Sequence, residues 1–126
     1  MSMSLQRIDH IGLNVRDLAI SFRYYHTVFG FDIVHKWKST WMIGKDKIRL
    51  GLFQRKDAVP VPNIDDAVAI THVAFRTDEA GFAAAQEQLK KLGITFDAPE
   101  DTGIAYSIFM LDPDGHQVEI TTYDYP

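Results

Sequence analysis

Leu111-Asp112-Pro113-Asp114-Gly115-His116-Gln117-Val118-Glu119-Ile120 is a tight turn feeding a strand, and the rest of the chain can be read outward from it. Proline pre-sets φ and glycine accepts a positive φ, so the Asp-Pro-Asp-Gly run has the chemistry of a turn. Residues 107–110 and 118–122 on either side are apolar, aromatic or β-branched, which predicts a β-hairpin. Alternation on its second strand puts Val118 and Ile120 on one face and Gln117, Glu119 and Thr121 on the other. A lone carboxylate opposite a buried face is ordinarily just solvated. Its meaning depends on the partners that the chain supplies.

The 126 residues fit one domain, and 46% hydrophobic residues suffice for a core. A net charge of −4 leaves no basic footprint for nucleic acid, and no run is apolar enough to span a membrane. The N-terminal residues 1–7 have neither the apolar centre nor the cleavage pattern of a secretion signal. With no cysteine there is no disulfide, thiolate nucleophile or Cys-ligated metal. The expectation is a soluble, cytoplasmic protein.

Residues 8–15 form the first expected strand, with Ile11, Leu13 and Val15 alternating against His10, Gly12 and Asn14. Asp17 is a suitable N-cap for a helix over 18–29, whose Leu18, Phe22, Tyr25 and Phe29 make one stripe, and Gly30 its stop. Strands follow at 31–36, 40–43 and 47–53, the last two joined at Gly44-Lys45-Asp46. In the third, Ile48, Leu50 and Leu52 face the core and Lys47, Arg49, Gly51 and Phe53 face away. Periodicity lapses over 55–67 and then begins again. A strand over 68–77 sets Thr71, Val73 and Phe75 against His72, Ala74 and Arg76. Thr77 or Asp78 caps a helix over 79–92 that stops at Gly93, and strands at 94–98, 106–111 and 118–122 complete the half.

The chain is therefore an internal repeat with little identity between its halves. His10-Ile11-Gly12-Leu13 aligns with His72-Val73-Ala74-Phe75, Phe29-Gly30-Phe31 with Leu92-Gly93-Ile94, and Leu50-Gly51-Leu52 with Val118-Glu119-Ile120. This predicts an α+β fold of two tandem βαβββ modules, about 6–54 and 68–125, joined by a linker over 55–67. Each module is a sheet with a helix on one face, leaving the other faces of the mixed sheets free to curl around a common cleft. Those faces would carry His10, Arg49, Gly51, His72, Arg76, Ser107, Phe109, Glu119 and Tyr123.

Two histidines at equivalent places and one carboxylate are a ligand set that borderline divalent ions accept, with positions left for water or substrate. Each histidine taken singly reads first as a polar residue satisfied by backbone hydrogen bonds. The shared helix-free face is what favours a joint role. His26, His35 and His116 read as surface residues. Arg49 and Arg76 can meet an anionic substrate or stay solvated, and Phe53 and Phe109 supply apolar pocket wall. Tyr123 is a weak candidate for acid–base chemistry, on strand alternation with Glu119.

Asp9-His10-Ile11-Gly12-Leu13, the helix end from Tyr24 to Phe31, Thr71-His72-Val73-Ala74-Phe75 and the hairpin from Leu111 to Ile120 together resemble the vicinal oxygen chelate superfamily. Its members include glyoxalase I, fosfomycin- and bleomycin-resistance proteins, methylmalonyl-CoA epimerase and extradiol dioxygenases. The resemblance covers nearly the whole chain. It implies paired βαβββ modules forming a cleft, with His10, His72 and Glu119 binding a divalent metal (Mn, Fe, Zn or Ni) chelated by adjacent substrate oxygens.

Departures from the family pattern narrow the choice. Glyoxalase I and the epimerase use a fourth ligand where this chain has Gly51. The basic residues that fosfomycin enzymes place late in the second module are missing, since no Lys or Arg follows Lys91 and Ser107 is the local polar match. Phe109 stands where the ring-cleaving dioxygenases have a catalytic tyrosine. The expected function is thus a small metal-dependent lyase, transferase or dioxygenase, the alternative a metal-free drug- or metabolite-binding protein. A homodimer is expected in either case.

Overall fold

The structure, a computed structural model, describes residues 2–124. Its elements run β1 (Ile11–Val15), α1 (Leu18–Phe29), β2 (Asp32–Lys36), β3 (Thr40–Lys45), β4 (Ile48–Gln54), a single 3-10 turn (Ile64–Asp66), β5 (Val73–Thr77), α2 (Glu79–Lys91), β6 (Glu100–Asp101), β7 (Tyr106–Leu111) and β8 (Gln117–Thr122). The chain divides between Ala58 and Val59 into two compact units, each a strand, a helix and three strands. Their sheets have the same topology, β1-β4-β3-β2 and β5-β8-β7-β6, with the first and last strands of each unit parallel and the other pairs antiparallel. Gly12 opposite Gly51 occupies the same place in its sheet as Ala74 opposite Glu119, so the alignment of Gly51 with Glu119 holds in the ladders. Among the described residues no helix is long and apolar enough to cross a membrane. The expected end of module two, position 125, and the first residue of the N-terminal stretch lie outside the described residues.

In the first unit α1 starts where Asp17 accepts a hydrogen bond from the Ile20 N–H at 3.0 Å and stops at Gly30, whose φ of 72° a side chain would resist. The helix turns Leu18, Ser21 and Tyr25 inward. The Tyr25 ring is fully buried and lies nearly parallel to Phe31, at 6.1 Å between centroids. Ile43, Leu50 and Leu52 complete this core. The β3–β4 turn falls later than expected, on Asp46 and Lys47. Gly44 is still in the ladder, opposite Arg49, where a Cβ would collide with the Ile48 carbonyl, and Asp46 takes the left-handed conformation at φ 54°.

In the second unit Asp78, rather than Thr77, caps α2, accepting from the Gly81 N–H at 2.7 Å. Phe82 and Leu89 are the helix residues that bury, against a core of Val73, Ile108, Met110, Val118 and Ile120. The hairpin is set by Asp112, which is only 5% exposed. Its Oδ1 accepts from the N–H groups of Asp114 and His116, both at 2.9 Å, while its backbone closes the turn with Gly115 and His116. Gly115 adopts φ 88°. The turn thereby locks Leu111 to Gln117 and Phe109 to Glu119 across the ladder.

Two expectations about strands are corrected. Residues 94–98 form no strand; β6 is two residues, pairing Glu100 with Ser107 and Asp101 with Tyr106. Pro99, which has no N–H to give a ladder, directly precedes the paired residues. The first and fifth strands begin at Ile11 and Val73, so His10 and His72 each stand one residue ahead of their strand rather than inside it.

Candidate metal-binding site

Glu119 sits in the middle of β8, flanked by β5 and β7, and its side chain is 13% exposed. Taking a carboxylate this far out of water is costly unless its oxygens are bonded, and both are. Oε1 lies 3.0 Å from His72 Nε2, and Oε2 lies 2.7 Å from the hydroxyl of the fully buried Ser107. Ser107 Oγ is also 2.9 Å from Thr121 Oγ1, which is 3.3 Å from the Tyr106 carbonyl. The one Ser107 proton goes to the better acceptor, the carboxylate, and the Thr121 hydroxyl is placed to donate to Ser107 or to Tyr106. At the other end of the contact, His72 Nδ1 is 2.7 Å from Thr71 Oγ1, a hydroxyl able to donate or accept. The His72 ring meets the edge of Phe109 at 6.0 Å.

In the first unit His10 is oriented by a different neighbour. Its Nδ1 donates to Asp9 Oδ2 at 2.8 Å, so the neutral ring presents a free lone pair at Nε2. Asp9 is held below the ordinary carboxylate value of 3.8, chiefly by that hydrogen bond, with smaller help from the charges of His10, Arg7 and Arg49. Arg49 is thereby placed in the electrostatic neighbourhood of this pair. A Cβ built on Gly51 would lie 3.5 Å from His10 Cδ2 and 3.2 Å from the Phe53 ring, which also comes within 3.1 Å of a Cβ on Gly12. The two glycines leave the space that the Phe53 ring fills beside His10. Arg55 lies 5.7 Å above the same ring.

The second unit therefore joins four of the residues expected in a site: His72, Glu119, Ser107 and Phe109. Arg76 and Tyr123 form a pair of their own, with the guanidinium 4.4 Å from the ring centroid. The first unit brings His10, Gly51 and Phe53 together. Among the described residues no three His, Asp or Glu side chains gather at one point to hold a metal ion. Of the histidines read as surface residues, His26 is half exposed and holds the Phe31 carbonyl at 2.9 Å, and His35 packs against Trp37 at 4.4 Å.

Sequence reasoning missed Asp9, Thr71 and Thr121. The signal was available: a hydrogen-bonding side chain directly precedes each of the two repeat-related histidines. Fixing one ring nitrogen by a hydrogen bond, so that the other faces outward, is how a metal-ligating histidine is usually held. His72 Nε2 and Glu119 Oε1, 3.0 Å apart, are donor types that borderline divalent ions accept.

The family model described as "Glyoxalase/Bleomycin resistance protein/Dioxygenase superfamily" matches residues 7–120. The chain is 32% identical to the metallothiol transferase FosB of Lysinibacillus sphaericus over 122 residues, 95% of this chain and 84% of that protein. It is 30% identical to the virulence protein STM3117 of Salmonella typhimurium, over 98% of this chain and 88% of that one. In fold it is similar to the lactoylglutathione lyase of Agrobacterium tumefaciens, with a TM-score of 0.77, 22% identity and coverage of 95% and 96% of the two chains. With the repeated βαβββ topology and a match over almost its full length, the chain belongs to the glyoxalase/bleomycin resistance/dioxygenase superfamily, the vicinal oxygen chelate proteins.

Proposed function

We propose that this protein is a divalent-metal-dependent enzyme in which His10, His72 and Glu119 hold the ion, acting on a small substrate through two adjacent oxygens. The observation that carries the reading is the way each donor is already oriented. Thr71 holds the far nitrogen of His72, Ser107 the far oxygen of Glu119, and Asp9 the far nitrogen of His10. Such support is what a ligand needs and a solvated side chain does not. Two imidazoles and a carboxylate suit Mn, Fe, Zn or Ni. When bound, the ion supplies Lewis-acid polarisation of the substrate's oxygens.

The chain's own residues would do the rest. Arg76, propped on the Tyr123 ring, offers a positive charge on the helix-free face of the second sheet, and Arg49 offers one in the first unit. Phe53 and Phe109 shape the apolar walls beside His10 and His72. Tyr123 serves as the platform for Arg76. We rank transfer of a group to the chelated substrate above ring cleavage. The metallothiol transferase similarity supports it, and Phe109 has no proton to exchange. A homodimer in the cytoplasm completes the reading, supported by the absence of cysteine and by an edge strand, β2, that exposes Val34 and is followed by the exposed Trp37.

One observation favours a second reading, a metal-free binding protein: the His72–Glu119 contact at 3.0 Å is a complete hydrogen bond without an ion. Elemental analysis of protein purified without chelator, with thermal shifts on adding Mn, Fe, Zn or Ni, separates the two. Bound metal and a raised melting temperature support the enzyme. No metal, no shift, and a His72→Ala variant that binds small ligands as before support the binder.

A further inference from the structure

The missing strand at 94–98 leaves something in its place. β6 reaches only as far as Ser107, and between residues 94–97 and the end of the β7–β8 hairpin lies a cavity of about 410 Å³. Its walls include Ile94, Phe96, Asp97, Phe109, Leu111 and Gln117. Strand alternation puts Phe109, Leu111 and Gln117 on the face that carries Glu119. Phe109 is the direct cross-strand partner of Glu119, a spacing of about 5 Å, and its ring touches His72. The cavity and the His72–Glu119 pair thus share one wall.

From this continuity we infer that the cavity binds an uncharged, apolar tail of the substrate whose oxygen-bearing head is held at His72 and Glu119. The inference rests on the metal-site reading and narrows its substrate class. The lining contains no cation, and its one ionisable side chain is Asp97, which disfavours an anionic tail. The volume is that of an ordinary small-molecule pocket, and the walls are mostly aliphatic and aromatic, so the favourable term is removal of methylenes from water. Substrates of the class are amphipathic: two adjacent oxygens at one end and a short alkyl or aryl group at the other.

A homologous series tests this. Acetohydroxamate, butanohydroxamate and hexanohydroxamate carry the same adjacent oxygens on tails of increasing length, and their binding to the manganese-loaded protein can be followed by calorimetry. Each added methylene is expected to tighten binding about fourfold, the equivalent of about 0.8 kcal/mol per buried methylene. Leu111→Asp, at an exposed wall position, is expected to flatten the series, and Phe96→Ala to weaken its slope. If acetohydroxamate binds but longer tails gain nothing, or if both variants keep the full slope, the tail pocket is wrong while the metal reading stands. If acetohydroxamate does not bind the manganese-loaded protein, the metal reading fails and the inference falls with it.

Discussion

Replacing Ser107 by alanine removes one proton donor and little volume, from a place where the consequence can be worked out. Ser107 is fully buried, its hydroxyl is 2.7 Å from Glu119 Oε2, and the Glu119 side chain is mostly out of water. A hydrogen bond to a charged group contributes about 1.5–3 kcal/mol. The lower half of that range applies, because Glu119 keeps His72 on its other oxygen and Thr121 can turn fully to the Tyr106 carbonyl. The expected loss is therefore about 1.5–2 kcal/mol, read as a urea midpoint roughly 1 M lower at an ordinary slope. The same change should weaken divalent-metal affinity about 10- to 100-fold, since an outer-shell partner of a ligand is gone. A metal-free variant as stable as the parent would refute the claim that Ser107 sustains a buried charged carboxylate. Undiminished metal affinity would refute its role behind a ligand.

Two further outcomes follow from the first unit. Gly51→Glu adds a side chain whose Cβ would lie 3.5 Å from His10 Cδ2, with its carboxylate two carbons further out and a small displacement of the Phe53 ring; manganese titration should show tighter binding, and an unchanged affinity would remove Gly51 from the neighbourhood of the site. Asp9 titrates below 3.8 in the folded chain, so its contact with His10 is intact at any pH above that value and is lost as the pH falls through the lowered one. Carbon NMR of the carboxyl should find the inflection below 3.8 and find it restored in His10→Ala; an inflection at or above 3.8 in the parent contradicts the pairing.

Local chemistry made most of the fold legible. Asp17, Gly30 and Gly93 mark helix ends because capping and positive φ are demands of single residues, and the Asp112 turn marks the hairpin for the same reason. The repeat was legible because alternation places Gly51 and Glu119 at one register position in each sheet, and the ladders preserve it. Residues 94–98 misled because apolar alternation describes a face and not a partner: the ladder with β7 takes up only Glu100 and Asp101, and residues 94–97 line a cavity instead. The histidines were readable as a pair, each with a hydrogen-bonding residue before it, but the contacts of those residues were not. Whether Asp9 or Thr71 holds a ring nitrogen depends on how the ring turns one residue before its strand begins, which spacing does not encode.

We propose that His10, His72 and Glu119 hold one ion. Calorimetric titration of manganese into the metal-free parent and into His10→Ala, His72→Ala and Glu119→Gln tests it most directly. Glu119→Gln is the sharpest of these, because the amide keeps the shape of the carboxylate and an acceptor for Ser107 while losing the charge. One ion per chain is expected in the parent and a loss of at least about 100-fold in each variant, more than the loss of a residue that only hydrogen-bonds a ligand. No binding to the parent, or binding that survives His10→Ala unchanged, would contradict it.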